Sequence, residues 1–463
     1  MSAAPDLSCY LADHVASARF EKIPPQAVDA AKKSILDTLG VTLAASGVEP
    51  RVRGLVTLVL ETGGRAESSI IGFGERVPAA QAAFANGAMA HCLDFDDRTP
   101  WGAHPSSSAV PSAFALAERI GRISGAQMIT AIALSQDIFT RLRCNVGRHQ
   151  DWNLSQVMGV FSAAAAASYV LGLSREQVLN ALGIASMQSC GIMQAMYSVG
   201  SDMRAMYAGF TAKGAVTAAL LAEKGVTGID ALFEGKAGIF NTYFGGKYER
   251  QNMLENLGAE YTGASTLYKP WPAVGISHTY IHATIELMKE HRLAASDIGQ
   301  IRVWIGAYQR QMCEPLEQRS APATPVDAKF SLPFCVAIAA ARGGMQISDF
   351  SAAGLKDPDV LAVAKKVVPV EDSSFDWTTK SPEARVAIDT RDGRTLERIG
   401  SNVPGSPDAP ISWDGIAEKF RACASVAAVP VPADRIKEAQ DMARSLELLD
   451  DATALLRVVN SGR

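Results

Sequence analysis

The 463-residue chain is 48% hydrophobic and 20% charged with a formal net charge of −4, a composition that suits a globular enzyme and offers no broad basic field for nucleic acid. Its length exceeds what one hydrophobic core usually serves, which points to two domains, one of them interrupted by the other. Seven scattered cysteines with no CxxC pair argue against a disulfide framework and a zinc site, and point to a reducing cytoplasm.

Residues 1–20 lack a basic segment followed by an apolar one, so no secretory signal is expected. No uninterrupted apolar run reaches the length that spans a bilayer, so no membrane association is expected. Over residues 25–43, Val28, Ala31, Ile35, Leu36 and Leu39 share one face with the charges opposite, which predicts a helix. Further helices are expected from "AAQAAFANGAMAHCL", "SAVPSAFALAERI", "AQMITAIALSQDIFTRLRC" and the alanine-dense "VMGVFSAAAAASYVLGL", whose small side chains suit close packing. Ser174 and Gln177 read as a capping box, and Gly225 as the C-cap of "FTAKGAVTAALLAEKG". The first half is thus expected to be almost entirely helical.

After Lys269 the texture changes. "IGQIRVWIGAY" alternates like a strand, and "ARVAIDTRDGRTLERIG" reads as two strands joined across Arg391-Asp392-Gly393. "SNVPGSPDAPISW" reads as a linker, after which "WDGIAEKFRACASV" and "ADRIKEAQDMARSLELLDDATALLRVV" return to helical periodicity. The expected fold is mainly α: a large helical domain formed by residues 1–267 and 404–463, with an inserted α+β lid domain over 268–403.

The densest chemistry lies in "AHCLDFDDRTPWGAHPSS". Asp94, Asp96 and Asp97 repel one another when ionised, so cations or hydrogen-bond donors must satisfy them. They fit a polar helix end, a magnesium site, or a DxDD acid of the terpene-cyclase kind; no second acidic motif accompanies them, and the aromatic richness and length of such cyclases are missing. A fourth reading is acid–base work in which a carboxylate orients a histidine, for which His104 is at hand.

"NGAMAHCLDFDD…HPSS" resembles the signature of the MmgE/PrpD proteins, a family that includes 2-methylcitrate dehydratase, cis-aconitate decarboxylase and iminodisuccinate epimerase. "AKKSILDTLGVTLAASG", "AAAAASYVLGLSREQVLNALGIA", "RAMYAGFTAKGAVTAALLAEKGVTG", "YKPWPAVGISHTYI", "DAKFSLPFCVA" and the "KF" of "WDGIAEKF" recur in the family's order and cover most of the chain. The resemblance implies a two-domain enzyme with neither cofactor nor metal, acting on small polycarboxylates and usually a homodimer. It places the active site between the domains, with Asp94, His104 and Lys269 as catalytic residues. Lys269 sits between Tyr268 and Pro270, an aromatic, proline-stiffened setting that limits its solvation.

The resemblance also marks Arg98, Asn153, Arg204, Tyr207 and His278 as substrate-binding. Three of these depart from the decarboxylase pattern. Arg98 stands where those enzymes carry threonine, Asn153 where many members have histidine, and Arg204 where others have lysine; guanidinium forks suit carboxylates. The leading expectation is a dehydratase-type lyase acting on a hydroxy di- or tricarboxylate through a carboxylate-stabilised carbanion. The alternatives are an epimerase of an amino- or imino-dicarboxylate, a decarboxylase of a cis-aconitate-like acid, and a non-catalytic carboxylate-binding protein. Within the aspartate motif, Asp94 is expected to act at the substrate, and Asp96 and Asp97 to serve as caps or ion-pair partners.

Overall fold

A computed structural model describes residues 4–147, 151–378 and 380–460. Leu7–Ser17 (α1), Pro25–Val48 (α2) and Pro50–Glu61 (α3) open the chain, and Pro25 and Pro50 stand in the first turns of α2 and α3, where a missing N–H costs nothing. Ser68–Ser69 (β1) and Arg76–Val77 (β2) form a small antiparallel pair within the first half, which the sequence predicts to be almost entirely helical. Ala79–Cys92 (α4), Ser106–Ile120 (α5), Gly125–Cys144 (α6), Leu154–Val170 (α7), Arg175–Ala185 (α8), Gln194–Tyr197 (α9) and Met203–Glu223 (α10) follow. The Ser174–Gln177 capping box is present at the start of α8, and Gly225 adopts φ 83° just beyond α10, as its predicted capping role requires.

Helices α4 and α10 cross almost backbone to backbone. A Cβ on Gly209 would lie 2.4 Å from the Phe84 carbonyl oxygen, and one on Gly87 would lie 3.0 Å from that of Ala208. This contact sets the end of α4 beside Tyr207, with the His91 and Tyr207 ring centroids 4.4 Å apart. In α7, Ala163 to Ala167 are wholly buried, which lets α5, α6 and α10 close around it. By length and mean composition α10 could cross a membrane, although Arg204 and Lys213 interrupt its apolar run; it lies mostly buried against α4, α7 and α8 as a core helix.

Ile239–Phe244 (α11) and Arg250–Leu254 (α12) lead to His278–Glu290 (α13), Ile298–Ile305 (β3), Ala307–Arg310 (α14), Leu316–Ser320 (α15), Pro325–Lys329 (α16), Leu332–Arg342 (α17), Pro358–Ala364 (α18), Val367–Glu371 (β4), Ala384–Thr390 (β5) and Thr395–Gly400 (β6). The sheet order is β4-β3-β5-β6, with β4 parallel to β3 and the other pairs antiparallel. The predicted hairpin is β5–β6, turning through Gly393 at φ 89°. The sequence reading missed β4: Pro369 interrupts it, and an edge strand tolerates the missing N–H. Helix α13 packs on α17, β5 and β6.

Trp413–Ala424 (α19) returns to α2, where Lys419 pairs with Asp37 at 2.6 Å. The helical pattern that follows is not one helix but Ala433–Arg444 (α20) and Ala454–Val459 (α21), broken because the intervening turn docks on the start of α6, where Gly125 N–H donates to Leu449 O at 2.8 Å. The fold is mainly α with a smaller α+β part. The two connections between these parts run side by side: Tyr268 N–H donates to Gly405 O at 3.0 Å, and a Cβ on Gly405 would lie 1.9 Å from the Tyr268 carbonyl oxygen.

Candidate active site

Helix α4 ends at Cys92, and the chain turns back through Asp94 at φ 47°, a left-handed conformation that a short polar side chain tolerates. The turn sends the three carboxylates in three directions. Asp94 faces Lys269, whose ammonium donates to the Asp94 carbonyl oxygen at 2.8 Å and ion-pairs with its carboxylate. Asp96 faces two histidines, and Asp97 accepts the hydroxyls of Ser34 and Ser106 at 2.6 Å each, tying the loop to α2 and α5.

Both Asp96 oxygens lie 3.0 Å from His91 Nδ1, and Asp96 Oδ2 is 3.1 Å from His104 Nδ1. His104 Nδ1 also lies 2.8 Å from the Asp97 carbonyl oxygen. Each Nδ1 therefore faces only acceptors and carries the proton, which leaves each Nε2 as the atom that can take or give one. His104 Nε2 is 3.9 Å from Asp94 Oδ1, and Ser155 Oγ accepts the His104 N–H at 3.2 Å.

Burial pushes the Asp96 carboxyl up, but the two histidines outweigh it and hold it well below the usual carboxylate range. For Asp94, burial is likewise outweighed, by Lys269, His104 and His91 together, and its pKa is lowered. For Asp97, burial and the Asp37 carboxylate outweigh the Ser106 and Ser34 hydroxyls and push it up to about 7. Burial lowers His104, which favours the neutral imidazole a base requires.

Above these groups lies a cleft of about 650 Å³, its open mouth included. His91, Asp94, His104 and Tyr207 supply polar lining, Arg98 and Arg143 its cations, and Tyr308, Phe330 and Trp377 aromatic rings. Arg98 joins two parts of the chain. Its backbone ladders with Leu267 at 2.9 and 2.8 Å, its Nη1 donates to Ser381 Oγ at 2.9 Å, and burial lowers its pKa only to about 10, so it stays charged at neutral pH. The ring of Trp377 stands edge-on to Tyr308 at 5.1 Å and fills the space that a side chain at Gly102 would need.

Two family models match the chain: the MmgE/PrpD N-terminal domain over residues 10–251 and the MmgE/PrpD C-terminal domain over 271–445. The chain belongs to the MmgE/PrpD family. Among curated relatives, the cis-aconitate decarboxylase-like protein of Aspergillus oryzae is 27% identical, covering 98% of this chain and 97% of its own. Cis-aconitate decarboxylase of Aspergillus terreus is 26% identical over 98% and 95%. 2-Methylcitrate dehydratase of Escherichia coli is 25% identical over 82% and 81%.

Of the residues the MmgE/PrpD resemblance marked, Asp94, Arg98, His104, Asn153 and Tyr207 line the cleft. Asn153 does so while capping α7, its Oδ1 accepting the Ser155 N–H at 3.0 Å. Three marked residues lie behind the wall instead. Lys269 sits beneath Asp94, 1% exposed. Arg204 stacks on the far side of Phe330, its Cζ 3.7 Å from the ring centroid; Nε and Nη1 are buried with no hydrogen-bond partner among the described residues. His278 opens α13 with Nε2–H donated to Ala273 O at 3.0 Å, and burial with the nearby Lys269 and Arg98 charges holds its pKa well below the ordinary value, so it is a neutral structural donor.

The sequence reading missed His91, Arg143, Tyr308 and Trp377. His91 had a signal, since it precedes Asp94 by three positions at the end of a helix; the other three are brought in only by the fold. The resemblance implies no metal, yet one donor atom from each of His91, Asp94, Asp96 and His104 lies within 4.8 Å of the others. This grouping fits a metal poorly, because the Lys269 ammonium already neutralises Asp94 and both Asp96 oxygens accept from histidine N–H groups.

Proposed function

We propose that this chain is a dehydratase-type lyase acting on a small hydroxy di- or tricarboxylate through a carbanion stabilised by a neighbouring carboxylate. One observation carries the reading: His104 turns a proton-free Nε2 toward a cleft whose cations are arginines, with Asp96 fixing the ring from behind. In this account Arg98 and Arg143 hold the substrate's carboxylates, and His104 Nε2 removes the proton α to one of them. The electron pair moves into that carboxylate, where a guanidinium stabilises the developing dianion, and the β-hydroxyl then leaves with a proton as water. Asp94, neutralised by Lys269, fixes the polar floor against which the substrate lies.

The relatives' names support the class, since both a dehydratase and decarboxylases of small carboxylates are among them. Decarboxylation is the second reading, favoured by the two decarboxylase-related proteins whose similarity spans 98% of the chain. There the same cations would stabilise the carbanion left by CO2. The test is a turnover screen over citrate, 2-methylcitrate, cis-aconitate, malate and iminodisuccinate. Unsaturated acid and water from a hydroxy acid are expected; CO2 from cis-aconitate would favour the second reading, epimerisation of iminodisuccinate an isomerase, and binding without turnover a non-catalytic protein.

A homodimer belongs to the same proposal. Tyr197, Val199, Met203 and Phe210 are large apolar side chains left exposed from α9 into α10, in keeping with a surface that a second copy covers. Sedimentation of the purified protein tests it. All seven cysteines are unpaired, in keeping with the proposed reducing, cytoplasmic location.

A further inference from the structure

We propose that His91 is a second acid–base residue of this site, paired with His104 through their shared carboxylate, so that one proton serves two imidazoles at two points of the cleft wall. The family resemblance gives His91 no role. The proposal rests on the lyase reading above and adds to it the missing acid.

The geometry is nearly symmetric about Asp96. Both Nδ1 atoms approach its carboxylate at 3.0–3.1 Å, and the two ring centroids are 4.5 Å apart at 62°, so the Nε2 atoms face away from Asp96 at different positions. Both residues line the cleft, yet His91 is only 2% exposed, enclosed by Tyr207 at 4.4 Å and by His104. A buried imidazole with one nitrogen on a carboxylate and the other toward a cavity is arranged for proton transfer. His278, by contrast, commits its Nε2 to the Ala273 carbonyl oxygen at 3.0 Å and does not line the cleft.

The charges permit one extra proton. Asp94 is neutralised by Lys269, which leaves Asp96 to balance a single imidazolium shared between the rings. Before reaction His104 is neutral and His91 carries the proton on Nε2. His104 Nε2 takes the α-proton, the C–H pair becomes the carbanion, and the C–O bond to the β-hydroxyl breaks as His91 Nε2 gives up its proton. The products are the unsaturated acid and one water; His104 now carries the proton and His91 none. The charge around Asp96 is unchanged, and exchange of both Nε2 sites with solvent restores the starting state.

Two measurements test this. Histidine ¹⁵N NMR of the whole protein needs no substrate: both Nδ1 atoms are expected to carry a proton donated to Asp96, which leaves each Nε2 as the exchanging nitrogen. A His91 found as the opposite tautomer, with Nδ1 bare and its only proton on Nε2, overturns the inference and leaves the lyase reading standing. The second is His91→Asn, whose amide nitrogen takes the place of Nδ1 on Asp96 and removes Nε2. With citrate or 2-methylcitrate, whichever the wild type dehydrates, water loss should fall by about 100-fold or more, while exchange of the substrate's α-proton in D2O stays within about tenfold of wild type. Unchanged water loss, or an equal fall in both rates as from a residue that only positions His104, overturns it. If the asparagine variant fails to fold, the ¹⁵N measurement on the wild type decides alone. A wild type that dehydrates neither acid instead removes the lyase reading, and the acid role with it.

Discussion

Asp94 and Lys269 bury opposite charges against each other beneath the cleft, so neither can be removed alone without stranding the other. Asp94→Asn and Lys269→Met should each reduce turnover by 100-fold or more and also lower the melting temperature, since breaking a buried pair costs about 3–5 kcal/mol. The double variant should recover much of the melting temperature and none of the turnover. Thermal melts and kinetics on the three proteins check this; recovery of activity in the double variant would mean that the pair is only structural. Asp97 behaves differently. Its folded pKa of about 7 lies above the ordinary 3.8, so the native state binds this proton more tightly than the unfolded chain does. Its contribution to stability is therefore lost as pH rises from about 4 through 7. Asp97→Asn cannot titrate, and its melting temperature relative to wild type should improve from pH 5 to pH 8; an unchanging difference would contradict the assignment. At this scale the sequence distinguished Asp94 from its neighbours only by resemblance. That Asp96 serves two histidines and Asp97 two serines depends on a backbone turn at φ 47° that no side-chain pattern announces.

Elements reach the site through close approaches that demand glycine. Gly275, just before α13, leaves the space that the Arg98 side chain occupies: a Cβ there would lie 2.6 Å from Arg98 Cδ. Gly275→Ala should therefore displace the guanidinium, raise KM by about tenfold and also lower kcat, as expected of a cation that holds a substrate carboxylate and stabilises the carbanion beside it. Steady-state kinetics on a turned-over acid decide it; unchanged KM and kcat would mean that Arg98 meets no substrate carboxylate. Most helices that form the wall were legible, because their apolar positions recur at helical spacing and their caps are explicit, as at Ser174 and Gly225. The exceptions share a cause. Strand β4 carries a proline tolerated only at a sheet edge, and the break between α20 and α21 is imposed by docking on α6, so tertiary contacts overrode the local pattern.

For the whole molecule, the cleft is a product of folding back. Its acid–base wall comes from the segment after α4, its arginines from that segment and from α6, and its aromatic side from Tyr308, Phe330 and Trp377, more than 150 positions further along the chain. The sequence carried the wall as one dense motif, and carried the far side only as scattered aromatics with no spacing to connect them. The central claim is that this cleft makes a carbanion beside a substrate carboxylate, using His104 held by Asp96. Incubating the enzyme with each candidate acid in D2O, and following the C–H signals by NMR, tests it most directly. Solvent deuterium should replace a proton α to a carboxylate in wild type, together with loss of water, and both should vanish in His104→Asn. Turnover without any solvent-derived hydrogen at the α carbon, or full exchange in the His104 variant, would contradict it.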